Sequence, residues 1–188
     1  MKKNHSYARS FLGLVCLFAS LSLCAQDQPV IAYLTIQGVK QGNFKGTSTA
    51  KGRENQIECV GYSYGVQSPR DASSGMPTGK LQHAPVVIVK HLDGATPQLL
   101  QAATSNEVLK SVVIEFYKVG GNGKSNILQT IRLTNAVVSK VSQFAGTASP
   151  DKLIPNNNPY EEISFTFQKI QVENVDSKTE ATDDWTMN

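Results

Sequence analysis

Alternation of apolar and polar residues dominates the chain and predicts a protein built mainly of β-strands. Successive side chains point to opposite faces of a strand, so a period of two marks a strand with one face buried. The pattern predicts strands at 30–37, 56–66, 85–91, 110–119, 126–144 and 161–175. The region 126–144 is long enough for two strands or for one bent strand. In the last strand the apolar phase shifts between Phe167 and Ile170, which predicts a β-bulge near Gln168 and Lys169.

One segment departs from this alternation and predicts a helix at about residues 97–105. Thr96 is a plausible N-cap, and Pro97 suits the first helical position, where its missing N–H needs no partner. The predicted apolar face of the helix consists of Leu99, Leu100 and Ala103. Together, these patterns predict a mainly β domain with one short helix inserted between its strands.

Three stretches carry no periodic pattern. Residues 67–84 hold two prolines, two glycines and three serines, and long loops of this kind in compact domains are usually functional or disordered. Residues 146–159 form a second polar loop, and the segment at 120–123 is a strong hairpin-turn signal. The domain is expected to end near residue 175, followed by a loosely held polar tail at 176–188, in which Trp185 is either an anchor or exposed.

The first 25 residues predict a secretory signal peptide that is removed from the folded protein. Lys2, Lys3 and Arg9 precede an apolar run at 11–19, which is too short to span a bilayer comfortably. The exported product is expected in the periplasm or outside the cell, without stable membrane insertion. Cys24 allows a second interpretation, lipid anchoring, because the residues before it resemble a lipoprotein box.

Loss of this leader changes both the charge and the cysteine count. The chain has 18 basic and 15 acidic residues, and the leader contains three of the basic ones, so 15 of each remain. A neutral domain without a basic stripe is not expected to bind nucleic acid. Only Cys59 remains, which excludes an internal disulfide and predicts a small buried thiol. The remaining length fits one β-domain at 26–175.

Motifs for catalysis, metal binding or cofactor binding are missing from the sequence. The remaining histidines, His83 and His91, belong to no metal-ligand pattern and are expected to be polar residues at element boundaries. Glu161 and Glu162 are adjacent on a predicted strand and therefore point to opposite faces, which favours a solvated charge pair. The sequence therefore predicts a protein that is not an enzyme; a hydrolase would need one histidine beside a nucleophile.

Three segments share one order and spacing with a known family. They are GYSYG at 61–65, K-x-x-D-x-x-T-P-x-L-L at 90–100 and S-F-x-F-x-K-I at 164–170. The motif residues that we single out are Tyr62, Tyr64, Asp93, Pro97, Leu99, Leu100, Phe165 and Phe167. Across 30–175 the chain resembles the Hcp family, the tube protein of the type VI secretion system.

This resemblance implies a small antiparallel β-barrel or sandwich with one short flanking helix. It also implies homo-hexameric rings that stack into a hollow tube. In that system a contractile sheath propels the tube, a spike protein sits at its tip, and effectors are carried in its lumen. The long loop is then the candidate for ring-to-ring contact, with candidate residues Ser68, Pro69, Arg70, Asp71, Met76 and Lys80.

The leader departs from the family pattern and leaves an alternative function open. Family members normally leave the cell through the apparatus that they build. A barrel exported with a cleaved leader could instead act as a periplasmic or extracellular adaptor or binding module. Tyr62, Tyr64 and Trp185 would then be its contact aromatics.

Overall fold

The computed structural model describes residues 31–119, 125–145 and 158–186. Eleven strands and one helix lie in these ranges: β1 Ala32–Gly38, β2 Ile57–Cys59, β3 Gly61–Ser63, β4 Val66–Gln67, β5 Gln82–His83, β6 Val86–His91, α1 Thr96–Thr104, β7 Leu109–Val119, β8 Ser125–Phe144, β9 Tyr160–Thr166, β10 Lys169–Asn174 and β11 Thr179–Asp184. The predicted leader, the turn at 120–123 and most of the loop at 146–159 lie outside them. Within these ranges, no helix has the length and hydropathy to cross a membrane.

The strands close into a barrel because one short segment pairs with both ends of the sheet. The sheet runs in the order β1-β7-β8-β9-β6, with all pairs antiparallel. β2 pairs with β1, and β3 pairs with β6. We call residues 57–63 the closing strand. It changes partner at Val60, whose N–H donates to the carbonyl of Val89 at 2.8 Å. The barrel with one helix confirms the predicted fold class, but the strand predicted at 56–66 is divided at Val60.

β8 is one long bent strand that pairs with two different strands, β10 and β9, along one edge. Its first part lies between β7 and β10, and its second part pairs with β9. Asn135 adopts a positive φ of 48° near the change of partner. The register against β9 shifts between Val138 and Lys140, which leaves Ser139 as the extra residue.

The β-bulge predicted near Gln168 and Lys169 is therefore wrong. The pairing of Thr166 with Val137 and that of Lys169 with Thr134 keep the same register across this point. The apolar phase shifts there because the chain leaves β9, which pairs with β6, and continues as β10, which pairs with β11.

The C-terminal segment also differs from the prediction of a loosely held tail. β11 pairs with β10 along its whole length, and its six residues are exposed or half-buried. Lys178 adopts a φ of 54° in the connecting turn, and the N–H of Trp185 donates to the carbonyl of Gln168 at 3.1 Å. The described fold therefore extends beyond residue 175.

The helix covers part of the barrel and contributes to its core. Leu99 and Ala102 are fully buried, whereas Leu100 is 49% exposed, so the predicted apolar face is wrong at that residue. The N-cap is Ala95 rather than Thr96, which is the first helical residue. The core also contains Ile36, Ile57, Cys59, Ile88, Ile114, Leu133, Ile163 and Phe165. Burial raises the pKa of the Cys59 thiol to about 11, so this buried thiol is unreactive at neutral pH.

Candidate assembly surface

The stretch predicted as a patternless loop is a projecting β-hairpin. Val66 pairs with His83 and Gln67 pairs with Gln82 at its base. Further out, the N–H of Thr78 donates to the carbonyl of Pro69 at 2.9 Å. We call residues 65–84 the long hairpin. Its backbone hydrogen bonds give the loop a defined shape although no apolar core supports it.

The tip of the long hairpin is ordered by one carboxylate. Asp71 Oδ1 accepts hydrogen bonds from the N–H groups of Ser73 and Ser74 at 3.0 and 2.8 Å, and from their hydroxyls at 2.6 and 2.9 Å. These bonds, led by that from the Ser73 hydroxyl, hold the pKa of Asp71 well below its usual range. Arg70 Nη1 donates to the carbonyl of Gly75, which adopts a φ of 69°. The tip therefore keeps its shape without packing.

The residues predicted for ring stacking lie along this hairpin at different depths. Ser68 and Pro69 are half-buried near the base, while Arg70, Asp71, Met76 and Lys80 are exposed. Met76 is 64% exposed and Leu81 is 51% exposed. An isolated two-stranded hairpin is only marginally stable in water. An ordered arm that leaves apolar side chains in solvent is suited to contact with another protein surface.

A pocket lies at the base of the long hairpin. It has a volume of about 860 Å³ and is lined by Lys80, Leu81, Gln82, His83, Asp183 and Trp185. We call it the base pocket. Its wall combines two elements that are 100 residues apart in sequence, the hairpin strand β5 and the C-terminal strand β11.

His83 links β5 of the long hairpin to β11 through its hydrogen bonds and ring contacts. Its Nδ1 lies 2.5 Å from the hydroxyl of Tyr64 and its Nε2 lies 2.5 Å from Asp183 Oδ2. A carboxylate only accepts, so we place the proton on Nε2, and Nδ1 then accepts from the Tyr64 hydroxyl. The rings of Phe167 and Trp185 lie 5.7 and 5.6 Å from the imidazole. His83 therefore joins the hairpin base to the barrel and to β11.

A hydroxyl, a histidine and a carboxylate in a row also form the pattern of an activated nucleophile. Here the hydroxyl belongs to Tyr64, whose pKa is raised by burial and by the negative charge of Asp183. A raised pKa makes the phenolate scarcer at neutral pH, so the arrangement suits a structural link better than a nucleophile. His91 lies elsewhere, 4.4 Å from the ring of Tyr160. Among the described residues, no group of three or more metal-ligating side chains comes together.

The second motif segment forms an ion-pair network around the fully buried side chain of Lys90. Lys90 Nζ donates to Glu161 Oε1 at 2.6 Å and to Asp93 Oδ1 at 2.7 Å. The hydroxyl of Thr96 donates to Glu161 Oε1 at 2.7 Å and accepts from the N–H of Asp93 at 3.0 Å. Lys90 and Glu161 are both 0% exposed, so the predicted solvated pair is wrong for Glu161.

The network explains why these residue types occur at this spacing. A buried charge is tolerated only when it is paired and hydrogen-bonded. Lys90 lies on β6, Asp93 precedes the helix, Thr96 begins it, and Glu161 lies on β9. Three elements therefore meet at one ammonium group. Gln143 Nε2 satisfies the second carboxylate oxygen of Glu161 at 3.1 Å. The K-x-x-D-x-x-T spacing was the sequence signal for this site, although it did not reveal Glu161 as the partner.

Comparison with known proteins decides the family. The family model described as "Type VI secretion system effector, Hcp" matches residues 33–173. The "Major exported protein" of Pseudomonas aeruginosa is 34% identical over 166 residues, which cover 82% of this chain and 94% of that protein. This chain belongs to the Hcp family.

Solved Hcp structures agree with this assignment. The Hcp1 protein of E. coli EAEC 042, in a double mutant, superposes with a TM-score of 0.73 at 25% identity, covering 84% of this chain and 99% of that one. The secreted protein Hcp3 of Pseudomonas aeruginosa superposes with a TM-score of 0.68 at 28% identity, covering 84% and 99%. The resemblance noted from the three motif segments is thus confirmed, and a tube-forming role is favoured over that of a free adaptor.

The aromatic motif residues of this Hcp chain are mostly tied into its fold. Tyr62 packs edge-to-face on Phe116 at a centroid distance of 5.0 Å, and Tyr64 bonds to His83. Phe165 is fully buried and Phe167 is 5% exposed. Of the three aromatics proposed as adaptor contacts, only Trp185 is largely exposed, at 48%.

A second buried carboxylate shapes the turn after β1. Glu107 is 1% exposed, and its Oε1 accepts from the N–H groups of Lys40 and Gln41 at 2.7 and 2.8 Å. A Cβ on Gly38 would lie 2.4 Å from the same oxygen, which explains the glycine there. Burial alone would raise the pKa of Glu107, but the bonds from Gln41 and Lys40 outweigh burial and lower it.

We expect Glu107→Gln to lower the free energy of unfolding at neutral pH by about 1.5–3 kcal/mol, the range for hydrogen bonds to a charged group. The folded pKa is lowered, so the stabilisation is present above the unfolded pKa, near 4.3, and is lost as the pH falls through the folded value. Urea unfolding of both proteins from pH 7 to pH 3 measures this difference. A difference that stays constant across this range contradicts the assignment of the charge to Glu107.

Proposed function

We propose that this chain is the tube subunit of a type VI secretion system, whose copies close into rings and stack through the long hairpin. The observation that carries the proposal is the Hcp family match, which runs through the whole hairpin. The hairpin is ordered, projects from the barrel and is exposed at every residue from 70 to 82. These are the properties expected of an arm that contacts a neighbouring subunit.

Exposed apolar side chains on the barrel support lateral contacts between copies. Val39 is 53% exposed and Val108 is 42% exposed, and a backbone bond of 3.0 Å holds them side by side. Leu128 and Val175 form a second such pair, 37% and 41% exposed, joined by a bond of 3.1 Å. Pairs of exposed apolar residues favour association when a symmetric assembly can cover them.

The proposed role is mechanical and needs no catalysis by the barrel. The closed barrel and its buried ion pair between Lys90 and Glu161 suit a component that transmits force. By the family resemblance, further partners are the spike protein, the contractile sheath and effectors carried in the lumen. The relative named "Major exported protein" supports export of this chain as well.

Electron microscopy and mass measurement of the purified protein test the proposal. We expect closed rings of uniform size and, at high concentration, stacked rings. A variant with residues 70–77 replaced by two glycines is expected to keep its fold and its rings but lose stacking, because these residues are exposed and touch no core. Circular dichroism and thermal unfolding check the fold of the variant.

Lys51→Glu, an exposed charge reversal away from the hairpin, is the control and is expected to stack normally. A protein that stays monomeric at high concentration would overturn the proposed ring function. Unchanged stacking by the shortened variant would overturn the role of the hairpin.

A further inference from the structure

The tip of the long hairpin displays three kinds of group within one turn. Arg70 supplies a cation and Asp71 an anion, and Met76 supplies a large apolar side chain that is 64% exposed. The Asp71 bonds that shape the tip hold these groups in a fixed arrangement. A flexible methionine on an ordered turn adapts well to an apolar recess and makes favourable contacts with aromatic rings.

The base pocket displays the complementary groups. Lys80 supplies a cation that is opposite in charge to Asp71, and Leu81 and Trp185 supply apolar walls, whereas Asp183 is already paired with His83 at 2.5 Å. Leu81 is 51% exposed and Trp185 is 48% exposed, so an apolar occupant would remove both from water. At about 860 Å³, the pocket is large enough for a turn and not only for one side chain.

The tip of a hairpin cannot reach the pocket at its own base. Asp71, at the tip, lies four positions beyond Gln67, which is in the basal pair. At about 3.3 Å per residue, the tip therefore projects about 13 Å from the base. Folding back would break the ladder that includes the bridge between Arg70 and Pro77. A hairpin tip that enters the base pocket must therefore come from another molecule.

We propose that the base pocket of one copy receives the hairpin tip of a second copy, with Met76 between Leu81 and Trp185. The inference rests on the proposed function and names the contact through which the hairpin would act. Tip and pocket are different surfaces, so the contact is head-to-tail, and each copy keeps one free tip and one free pocket. Contacts of this kind propagate into rings or open columns rather than stopping at a dimer.

Site-directed disulfide formation tests the contact. Met76→Cys and Leu81→Cys are made in separate proteins, which are mixed, assembled and treated with a mild oxidant. We expect a disulfide-linked dimer in the mixture at a yield at least tenfold above that of either variant alone. Both positions are exposed, so both variants are expected to fold. The unsubstituted protein measures background from its own cysteines.

Val39→Cys mixed with Met76→Cys is the matched control, because Val39 is 53% exposed but lies outside the pocket. Rings or tubes without cross-linking above this control would overturn the pocket contact and leave the ring function standing. Cross-linking without rings would support the contact and overturn the ring function. Absence of both assemblies and cross-links would overturn both.

The only tryptophan of the chain gives a second measurement. Trp185 lines the pocket, so its fluorescence is expected to shift to shorter wavelength as copies assemble and water leaves the indole. Met76→Glu is expected to abolish this shift while the secondary structure stays unchanged. A shift of equal size in Met76→Glu would contradict the placement of Met76 beside Trp185.

Discussion

Replacing Lys90 with methionine is expected to lower the free energy of unfolding by about 3–5 kcal/mol, the usual loss when one partner of a buried ion pair is removed. The substitution leaves the carboxylate of Glu161 buried, with its Lys90 bond of 2.6 Å gone. It also removes the bond to Asp93, and with it the link between β6 and the start of the helix. For a domain of this size, the loss corresponds to a decrease in Tm of about 10 °C.

Lys140→Met is the matched control because the chemical change is the same. Lys140 pairs with Glu162 at 3.2 Å, but its side chain is 59% exposed, and exposed pairs contribute about 0–1 kcal/mol. Chemical denaturation of both variants compares the two sites directly. Similar losses for Lys90→Met and Lys140→Met would contradict the buried network.

A double variant separates the charge from the packing. Lys90→Met combined with Glu161→Met removes both charges and is expected to recover part of the stability lost in Lys90→Met. The recovery would show that the unpaired carboxylate, rather than the missing lysine stem, causes most of the loss. A double variant less stable than Lys90→Met would indicate that Glu161 stabilises the fold mainly through Thr96 and Gln143.

Gly46→Ala is expected to cost about 3 kcal/mol or more, at the upper end of the range for overpacking. A Cβ at this position would lie 2.1 Å from the carbonyl oxygen of Gln56 and 2.6 Å from the nitrogen of Ile57. Both atoms are backbone and lead directly into the closing strand, so they cannot move aside without disturbing its pairing with β1. A flexible side chain could move away from the new methyl group, but backbone atoms held by the hydrogen bonds between strands cannot.

Gly65→Ala provides the comparison, since a Cβ there meets nothing within 4 Å. Its unfolding free energy is expected to stay within about 0.5 kcal/mol of the unsubstituted protein. Urea midpoints at constant m-value measure both changes. Equal midpoints for the two variants would show that the segment around Gly46 adapts and that the closing strand tolerates displacement.

The sequence revealed those elements in which one face is buried. Burial alternates along β1 because one face of this strand lines the core, and the helix stands out because its period differs. The division of the closing strand at Val60 could not be predicted, because the apolar pattern continues while the hydrogen-bonding partner changes. Alternation reports which face is buried, but it does not report which strand lies beside it.

Elements exposed on both faces left no such signal. β11 reads Thr-Glu-Ala-Thr-Asp-Asp, and its pairing with β10 depends on backbone bonds that polar side chains do not predict. The long hairpin was hidden for the same reason, since its ladder carries prolines and serines. The base pocket depends on this missed strand, because β11 brings Asp183 and Trp185 to the hairpin. The residues of the buried network were visible as a spacing, but their partner on β9 is 71 positions beyond Lys90.

The closing strand also sets an order of events in folding. It can pair with β1 and β6, both nearby in sequence, but a cylinder exists only once β7, β8 and β9 connect those two strands on the far side. β9 begins at Tyr160, so a nascent or truncated chain that stops before this residue leaves β6 and β8 with unpaired edges. Unpaired strand edges can form hydrogen bonds with strands of other chains. The barrel can therefore close only after nearly the whole chain has been synthesised, and incomplete chains are prone to aggregation.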